Sequence, residues 1–259
     1  MILMVEINLL VKIMKKKNTN FRRDDNDDVG FDKPSDMLLK IKNSLPDTII
    51  PFENRDKGFH EKWTPGRSLM NFPHPFSWLI FAKPNAGKTT LVKNHLWRAT
   101  PGYDKIYVLH TDPGTAEYGS IPVSIEPPQL DDIDRTIKNL LVIDDFDIEG
   151  ANRETKNLLD RLFGYARTHL SLSIIIINQN LTRIPTTIRR MCTIVTHFQI
   201  PNSRDRQIIG RMIGMDRAQM SKINGLLEDD FHASFTIDRT KNSPMKYRLN
   251  MTESVSIDM

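Results

Sequence analysis

The sequence predicts an α/β fold with three layers, in which helices cover both faces of a mainly parallel central sheet. Three observations lead to this prediction. Short apolar runs rich in β-branched residues lie between residues 78 and 196 without alternating with polar ones, which is typical of strands buried on both faces. Segments between the runs carry apolar residues at helical spacing. Glycine, aspartate or amide residues follow several runs, where a parallel sheet places its ligand site.

The elements follow one another along the chain in an order that suits such a sheet. The predicted strands are 78–81, 106–109, 140–143, 174–177 and 193–196. The predicted helices are 88–99, 153–168, 203–214 and 216–227, and a hairpin is predicted to join 234–237 with 246–249. Strands that alternate with helices pair in parallel, so the sheet is expected to be mainly parallel with a hairpin near its end.

The chain before the first strand has a different character. Residues 18–36 are polar and charged and show neither helical nor strand periodicity, which predicts a flexible linker. The first 14 residues are apolar-rich, but Glu6 and Lys12 interrupt them, and the run is too short to span a bilayer. Basic residues follow this stretch instead of preceding it, so no secretion signal is expected. We predict a flexible or partner-binding N-terminal arm over 1–60 and the α/β domain over 61–259.

The composition sets broad limits on function. Of the 259 residues, 39% are hydrophobic and 26% are charged, and the net charge of +4 mildly favours a polyanionic partner such as nucleic acid. The single cysteine, Cys192, cannot form a disulfide within the chain, so a reduced intracellular setting is expected. Because Cys192 lies next to an apolar run, we interpret it as a small buried hydrophobe and not as a nucleophile.

The loop after the first strand has the spacing of a phosphate-binding loop. Gly87 lets the backbone approach a phosphate closely, and the N–H groups that begin the next helix face the anion. Lys88 is predicted to reach the β- and γ-phosphates of a nucleotide, and the Thr89 hydroxyl to bind Mg²⁺. The alternative is an ordinary turn that contains a lysine. The first position holds alanine where the motif has glycine, and the predicted nucleotide-binding residues are Ala82, Lys83, Pro84, Asn85, Ala86, Gly87, Lys88, Thr89 and Thr90.

Two carboxylates and an amide complete the predicted site. Asp144 and Asp145 follow the strand 140–143; Asp144 is predicted to hold Mg²⁺ directly or through water, and Asp145 to orient or deprotonate the attacking water. Gln179, just after the strand 174–177, either senses phosphate and positions water or is a simple amide at a strand end. This order implies a strand between the phosphate-loop strand and the Asp144 strand. That arrangement is the RecA-like, additional-strand branch of P-loop NTPases.

Together these segments resemble the FtsK–HerA superfamily of DNA-translocating ATPases. The likeness is greatest to the genome-packaging ATPases of large DNA viruses, virophages and Polinton-like elements. It covers about residues 76–214 and rests on the segments FAKPNAGKTT, LLVIDDF, YARTHLSLSIIIINQ, IPTTIRRMCTIV and PNSRDRQIIG. The resemblance implies ATP as the nucleotide, Mg²⁺ as its cofactor, and Asp144 and Asp145 as the metal-binding and catalytic acids, with Gln179 at the tip of the next strand.

The resemblance also implies a homo-oligomeric ring, usually a hexamer, in which an arginine of one subunit completes the site of its neighbour. Arg167 is the first candidate for this catalytic arginine. Members of the family usually have the arginine directly before a histidine, whereas Thr168 separates Arg167 from His169 in this chain. The further candidates are Arg189, Arg190 and Arg204. For each, a solvated or structural ion pair is the alternative.

Double-stranded DNA is the expected partner, bound through non-specific contacts to its backbone, because a motor must ignore sequence. Arg183, Arg189 and Arg190 are candidate phosphate contacts, and a basic surface helix is the alternative interpretation. A capsid or portal protein is a further expected partner, and the expected location is the host cytoplasm, a viral factory or the virion.

The function that these observations favour is an ATP-driven translocase that packages viral DNA. The alternatives are a plasmid or cellular DNA-transfer ATPase of the same superfamily, a P-loop small-molecule kinase, and a module that binds a nucleotide without hydrolysing it. The aspartate pair and Gln179 argue against the kinase. The full set of Lys88, Thr89 and both aspartates argues against the non-hydrolysing module.

Overall fold

A nine-stranded sheet forms the centre of the structure, a computed structural model that describes residues 60–256. Its strands are β1 (Ser77–Phe81), β2 (Lys105–His110), β3 (Val123–Ser124), β4 (Asn139–Asp144), β5 (Leu172–Asn178), β6 (Ile194–His197), β7 (Phe235–Asp238), β8 (Tyr247–Leu249) and β9 (Glu253–Ser254). They are ordered β3-β2-β4-β5-β1-β6-β7-β8-β9. The predicted arm over 1–60 lies almost wholly outside the described residues and stays a prediction.

The pairing of the strands confirms a mainly parallel sheet. All pairs from β3 to β6 are parallel, and β7, β8 and β9 add an antiparallel edge that contains the predicted hairpin. Strand β5 lies between β1 and β4, as the order of motifs predicts. The short strands β3 and β9 were not expected, because two-residue strands leave no periodic signal in a sequence.

The helices are α1 (Lys88–Arg98), α2 (Arg153–Arg161), α3 (Thr186–Met191), α4 (Ser203–Ile213) and α5 (Arg217–Leu226). Three of them begin at side chains that accept a hydrogen bond from the first turn: Asn152 for α2, Asn202 for α4 and Asp216 for α5. Within residues 60–256, no helix is both long enough and apolar enough to cross a bilayer.

The single helix predicted over 153–168 is wrong in one respect. After α2 the chain passes through a π-helical turn, Leu162–Ala166, before a last α-helical turn, Arg167–His169. Gly164 lies at the centre of the π-helical turn, and glycine stabilises an α-helix poorly. The change of helical register decides which way Arg167 points.

Two apolar layers cover the two faces of the sheet. Successive residues of a strand point to opposite faces, and Leu79 and Ile176 belong to one layer whereas Ile80 and Ile177 belong to the other. Because both faces are buried, the strands read as continuous apolar runs, and the three-layer prediction is confirmed. The aromatic residues Phe72, Phe76 and Trp78 are fully buried in the core. Cys192 is buried as expected, and its burial raises the pKa of the thiol to about 12.

Candidate active site

The loop between β1 and α1 has the backbone of a phosphate cradle. Gly87, directly before α1, has φ 99°, a left-handed conformation that glycine adopts without strain. Asn85 also has positive φ, at 62°, which asparagine tolerates better than most residues. Ala82, where the motif has glycine, is not among the positive-φ residues, so its side chain costs no backbone strain.

The remaining predicted loop residues divide by exposure. Ala82 and Ala86 are buried and anchor the loop to the core, and Thr90 lies exposed in the first turn of α1. The exposed residues of the loop itself are Lys83, Pro84 and Asn85. Exposure of the tip above a buried base leaves the backbone N–H groups of the loop accessible to an anion.

Lys88 places a cation at the centre of this loop. Its side chain curls back so that Nζ donates to the Lys83 carbonyl oxygen at 2.9 Å, and the residue is only 7% exposed. Burial lowers the pKa of the Lys88 ammonium, whereas the carboxylates of Asp145, Asp144 and Glu117 favour its charged form. An ammonium carries three N–H donors, so the bond to Lys83 leaves capacity for phosphate oxygens.

Asp144 is the last residue of β4 and faces the beginning of α1. Thr89 Oγ1 donates to Asp144 Oδ2 at 3.4 Å, so a hydroxyl and a carboxylate meet where Mg²⁺ is predicted. Such oxygen donors suit Mg²⁺, which when bound would neutralise charge on the nucleotide phosphates. Burial raises the pKa of Asp144, and the neighbouring Asp145 raises it further.

Tyr118 is a part of the site that no sequence motif indicates. It lies in the connection between β2 and β3, and its buried hydroxyl donates to Asp144 Oδ2 at 2.6 Å. This bond lowers the pKa of Asp144 and so opposes the effect of burial. Burial and the Asp144 charge raise the pKa of Tyr118 itself, which keeps its hydroxyl a donor. A donor fixed on a metal-binding carboxylate orients that ligand.

Asp145 and Gln179 are brought together across neighbouring strands, as their positions at the ends of β4 and β5 imply. Gln179 Nε2 donates to Asp145 Oδ2 at 2.9 Å, and both residues are exposed at the carboxyl edge of the sheet. Asp145 has φ 48°, a left-handed conformation that is uncommon outside glycine. Aspartate, like asparagine, tolerates this conformation better than most residues.

Arg167 lies far from the phosphate loop and the aspartate pair of its own subunit. Its Nη1 donates at 3.4 Å to the hydroxyl of Ser77, the first residue of β1, whereas the phosphate loop follows the last residue. The strand between them is about 13 Å long, at roughly 3.3 Å per residue. Burial lowers the pKa of the Arg167 guanidinium. A role for Arg167 therefore requires a neighbouring subunit and stays a prediction.

The other candidate arginines differ in how they are held. Arg189 donates to the Ile184 carbonyl oxygen at 3.0 Å and to Thr186 Oγ1 at 2.9 Å, so its side chain caps a local turn. Arg183, Arg190 and Arg204 are exposed. Arg183 follows β5 at the carboxyl edge, the same edge as Gln179.

His232 is a second residue that sequence patterns do not indicate. It lies in the connection between α5 and β7, and its Nδ1 is 3.2 Å from the carbonyl oxygen of Ala86 in the phosphate loop. Only a three-dimensional fold can bring together residues 146 positions apart in the chain.

No protein-family model matches this chain, and no curated protein matches its sequence. Solved structures match its fold. The genome packaging NTPase B204 from Sulfolobus turreted icosahedral virus 2, in complex with sulfate, is 12% identical with a TM-score of 0.51, over 72% of this chain and 100% of B204. The DNA-packaging ATPase B204 from Sulfolobus turreted icosahedral virus is 12% identical with a TM-score of 0.49, over 71% and 100%.

The pCW3 conjugation coupling protein TcpA is 12% identical with a TM-score of 0.47, over 78% of this chain and 67% of TcpA. The match to B204 in complex with sulfate shows the fold: this chain folds like a viral genome packaging NTPase. The predicted resemblance is thereby confirmed at the level of the fold, together with the α/β P-loop fold class.

Proposed function

We propose that this chain is an ATP-hydrolysing motor that translocates double-stranded DNA and packages a viral genome into a capsid. One observation carries the proposal: Lys88, Asp144 and Asp145 meet at the carboxyl edge of a sheet in which β5 separates β1 from β4. The extra strand is β5, which lies between β1, the strand before the phosphate loop, and β4, the strand before the aspartates. This separation supports a water-activating acid beside the Mg²⁺ ligand.

Each side chain has a distinct task in hydrolysis. Lys88 and the N–H groups of the loop bind the β- and γ-phosphates, and Thr89 with Asp144 would hold Mg²⁺. Asp145 orients the attacking water and accepts its proton, while Gln179 holds the Asp145 carboxylate in place. The water oxygen bonds to the γ-phosphorus, the bond from that phosphorus to the ADP oxygen breaks, and ADP and phosphate leave.

The proposed motor is a ring of identical subunits, with six as the expected number. An arginine from the adjacent subunit would stabilise the charge that spreads over the transferred phosphoryl group. Arg167 is one candidate, and the exposed side chains of Arg190 and Arg204 can extend from their own subunit toward a neighbour.

The DNA would pass through the ring and be held by its backbone. Arg183 supports this part of the proposal because it is exposed at the carboxyl edge, next in the chain to the segment that carries Gln179. A movement of the Asp145–Gln179 pair during hydrolysis would therefore reach a phosphate contact directly. Residues 1–60 would serve to bind a capsid or portal protein, in an infected cell or in the virion.

The test is ATP hydrolysis measured with and without long duplex DNA, together with the mass of the assembly in solution. The proposal predicts a ring-sized oligomer whose hydrolysis is stimulated by DNA of any sequence. A monomer that ignores DNA and phosphorylates a nucleoside would instead identify a small-molecule kinase. Packaging is separated from plasmid or cellular DNA transfer by virus particles made with Lys88→Ala subunits, which should lack nuclease-resistant DNA.

The neighbour's arginine is tested by mixing inactive subunits. Rings of Arg167→Ala, Arg190→Ala or Arg204→Ala chains are each mixed with Lys88→Ala chains. For the arginine that acts across the interface, some mixed interfaces contain both an intact Lys88 and an intact arginine, so part of the activity returns. An arginine whose substitution leaves hydrolysis unchanged is eliminated as the catalytic one.

A further inference from the structure

We propose that Phe231, positioned by His232, forms the surface on which the purine base of the bound nucleotide stacks. The proposal rests on the function proposed above and identifies a part of that site for which the sequence offered no candidate. The two residues lie in the segment between α5 and β7, beside the phosphate loop but outside it.

The segment is attached to the phosphate loop by His232. Its Nδ1 lies 3.2 Å from the Ala86 carbonyl oxygen, and because a carbonyl oxygen only accepts, Nδ1 must carry the hydrogen. A β-carbon added to Gly87 would lie 3.6 Å from the same nitrogen, so the imidazole lies beside Gly87 as well as Ala86. The imidazole therefore has a fixed orientation on the side of the phosphate cradle.

Phe231 stands next to this imidazole with its ring exposed to solvent. The ring centroids of Phe231 and His232 are 5.4 Å apart with the planes at 75°, an edge contact that leaves a face of the phenyl ring uncovered by His232. Phe231 is 49% exposed and is one of the few large apolar side chains with such exposure among the described residues. An exposed aromatic face beside a phosphate site matches the stacking requirement of a base.

The order of the strands indicates which side of the phosphate loop the base must occupy. The carboxylates at the end of β4 and the amide after β5 lie on one side of β1, so the terminal phosphate belongs on that side. The nucleoside must extend away from them, past β6 and toward β7. Adjacent strands are about 4.8 Å apart, so the start of β7 is about 10 Å from the phosphate-loop strand, within reach of a nucleoside. Only Ala233 and Ser234 separate His232 from the first residue of that strand.

The segment is held firmly enough to present a stacking surface. Asp230 Oδ1 accepts from the His232 backbone N–H at 2.9 Å, and the next two residues, Ala233 and Ser234, are buried. Ser234 is in turn bonded to Asn250, whose side-chain oxygen accepts from its backbone N–H at 3.1 Å. A surface ordered before binding loses little entropy when a base stacks on it.

The experiment compares two ligands that share phosphates but differ in the base. Calorimetry measures the binding of the non-hydrolysable ATP analogue AMPPCP and of inorganic tripolyphosphate, both with Mg²⁺, to the full-length chain. We expect Phe231→Ala to weaken AMPPCP binding about tenfold, the usual size of a lost base–aromatic contact, and to leave tripolyphosphate binding unchanged. Phe231→Trp should retain AMPPCP binding, and His232→Ala should weaken AMPPCP more than tripolyphosphate.

Trp97→Ala is the matched control, since Trp97 is 82% exposed and lies near the far end of α1 from the phosphate loop. It should bind both ligands like the unaltered chain. Equal AMPPCP affinity in the unaltered chain and Phe231→Ala would overturn the inference and assign Phe231 to a protein or DNA contact. Equal losses for both ligands would also overturn it. If the unaltered chain binds neither ligand, the proposed function fails as well, so the two failures are distinguishable.

Discussion

The two ends of the parallel sheet both contain buried polar groups, but they use them in opposite ways. At the amino end the polar groups bond to one another. Ser173 Oγ lies 2.6 Å from His74 Nδ1, and Ser171 Oγ lies 3.0 Å from His74 Nε2. Nearby, Glu61 forms ion pairs with both Arg67 and Lys138. Such networks satisfy the groups that take part in them and stabilise the fold, although Asn139 Oδ1 and Arg167 Nε at this end have no hydrogen-bond partner among the described residues.

At the carboxyl end, charges of the same sign lie side by side, and the opposite charge, on Lys88, attracts them without forming an ion pair. Asp144 and Asp145 are consecutive, and within the described residues no ion pair joins either of them to Lys88. Asp145 is one cause of the raised pKa of Asp144. Adjacent carboxylates repel each other, and a bound cation would relieve this repulsion. The polar groups of the amino end thus form mainly closed networks, whereas the unpaired charges of the carboxyl end suit the proposed nucleotide site.

The largest expected effect is the loss of ATP turnover when a single lysine at the carboxyl end is replaced. Lys88→Ala should reduce ATP turnover at least about 100-fold, because the substitution removes the cation that binds the phosphates. It should change the free energy of unfolding much less, because removing the ammonium also removes the cost of its burial, which offsets the lost bond to Lys83 and the lost attraction to Asp145 and Asp144. The measurement is steady-state hydrolysis beside urea unfolding. Lys93→Ala, at an exposed position of the same helix, is the control and should match the unaltered chain. A Lys88→Ala chain that loses stability but retains turnover would contradict the role proposed for Lys88.

Acidification should weaken both ends of the sheet. At the carboxyl end, burial lowers the pKa of His197, the last residue of β6, to about 4 from an ordinary value of 6.5. Burial lowers the pKa of both His74 and His95 to about 4, from an ordinary value of 6.5. Between these values the unfolded chain binds protons that the folded chain does not, so the stability present above pH 6.5 is lost as the pH falls toward 4. At a pH of about 5.5 each histidine should cost about 1.4 kcal/mol of the free energy of unfolding. Protonation of Asp144, whose pKa is raised, acts in the opposite direction.

Urea unfolding at several pH values measures this effect. A His74→Gln chain should lose less stability than the unaltered chain over the same interval, because one of the three buried histidines that titrate there has been removed. If both chains lose stability equally, the buried histidine is not the cause.

Tyr118→Phe should have a smaller effect, confined to the carboxyl end. Without the hydroxyl that donates to Asp144 Oδ2, the carboxylate loses its fixed orientation, and the Mg²⁺ concentration needed for half-maximal hydrolysis should rise about tenfold. Tyr107→Phe is the matched control, because it removes a hydroxyl that donates to the Asp132 carbonyl oxygen at 2.7 Å. An unchanged Mg²⁺ requirement in Tyr118→Phe would show that Tyr118 contributes to packing and not to the metal site.

Sequence patterns predicted the carboxyl end far better than the amino end. The phosphate loop is a local motif, so the positions of Gly87, Lys88 and Thr89 could be predicted from adjacent residues. The predicted strands also placed Asp144 and Gln179 at the carboxyl edge of the sheet. The contact of Tyr118 with Asp144 joins residues 26 positions apart, and that of His232 with Ala86 joins residues 146 apart. Neither segment has a periodic pattern that predicts such a contact.

At the amino end, the pairing of His74 with Ser173 spans 99 residues and depends on the register of β1 against β5. A single sequence cannot supply that register, because strands of similar composition can slide along each other. The position of the Arg167 side chain could not be predicted either, because the π-helical turn Leu162–Ala166 changes its direction.

The central claim is that Asp145 activates water at the carboxyl end, and one comparison tests it most directly. Asp145→Asn has nearly the same shape but cannot accept the proton. We predict that the Asp145→Asn chain binds ATP with the affinity of the unaltered chain but hydrolyses it about 100-fold more slowly or worse in a single turnover. Normal hydrolysis by Asp145→Asn would show that another group activates the water.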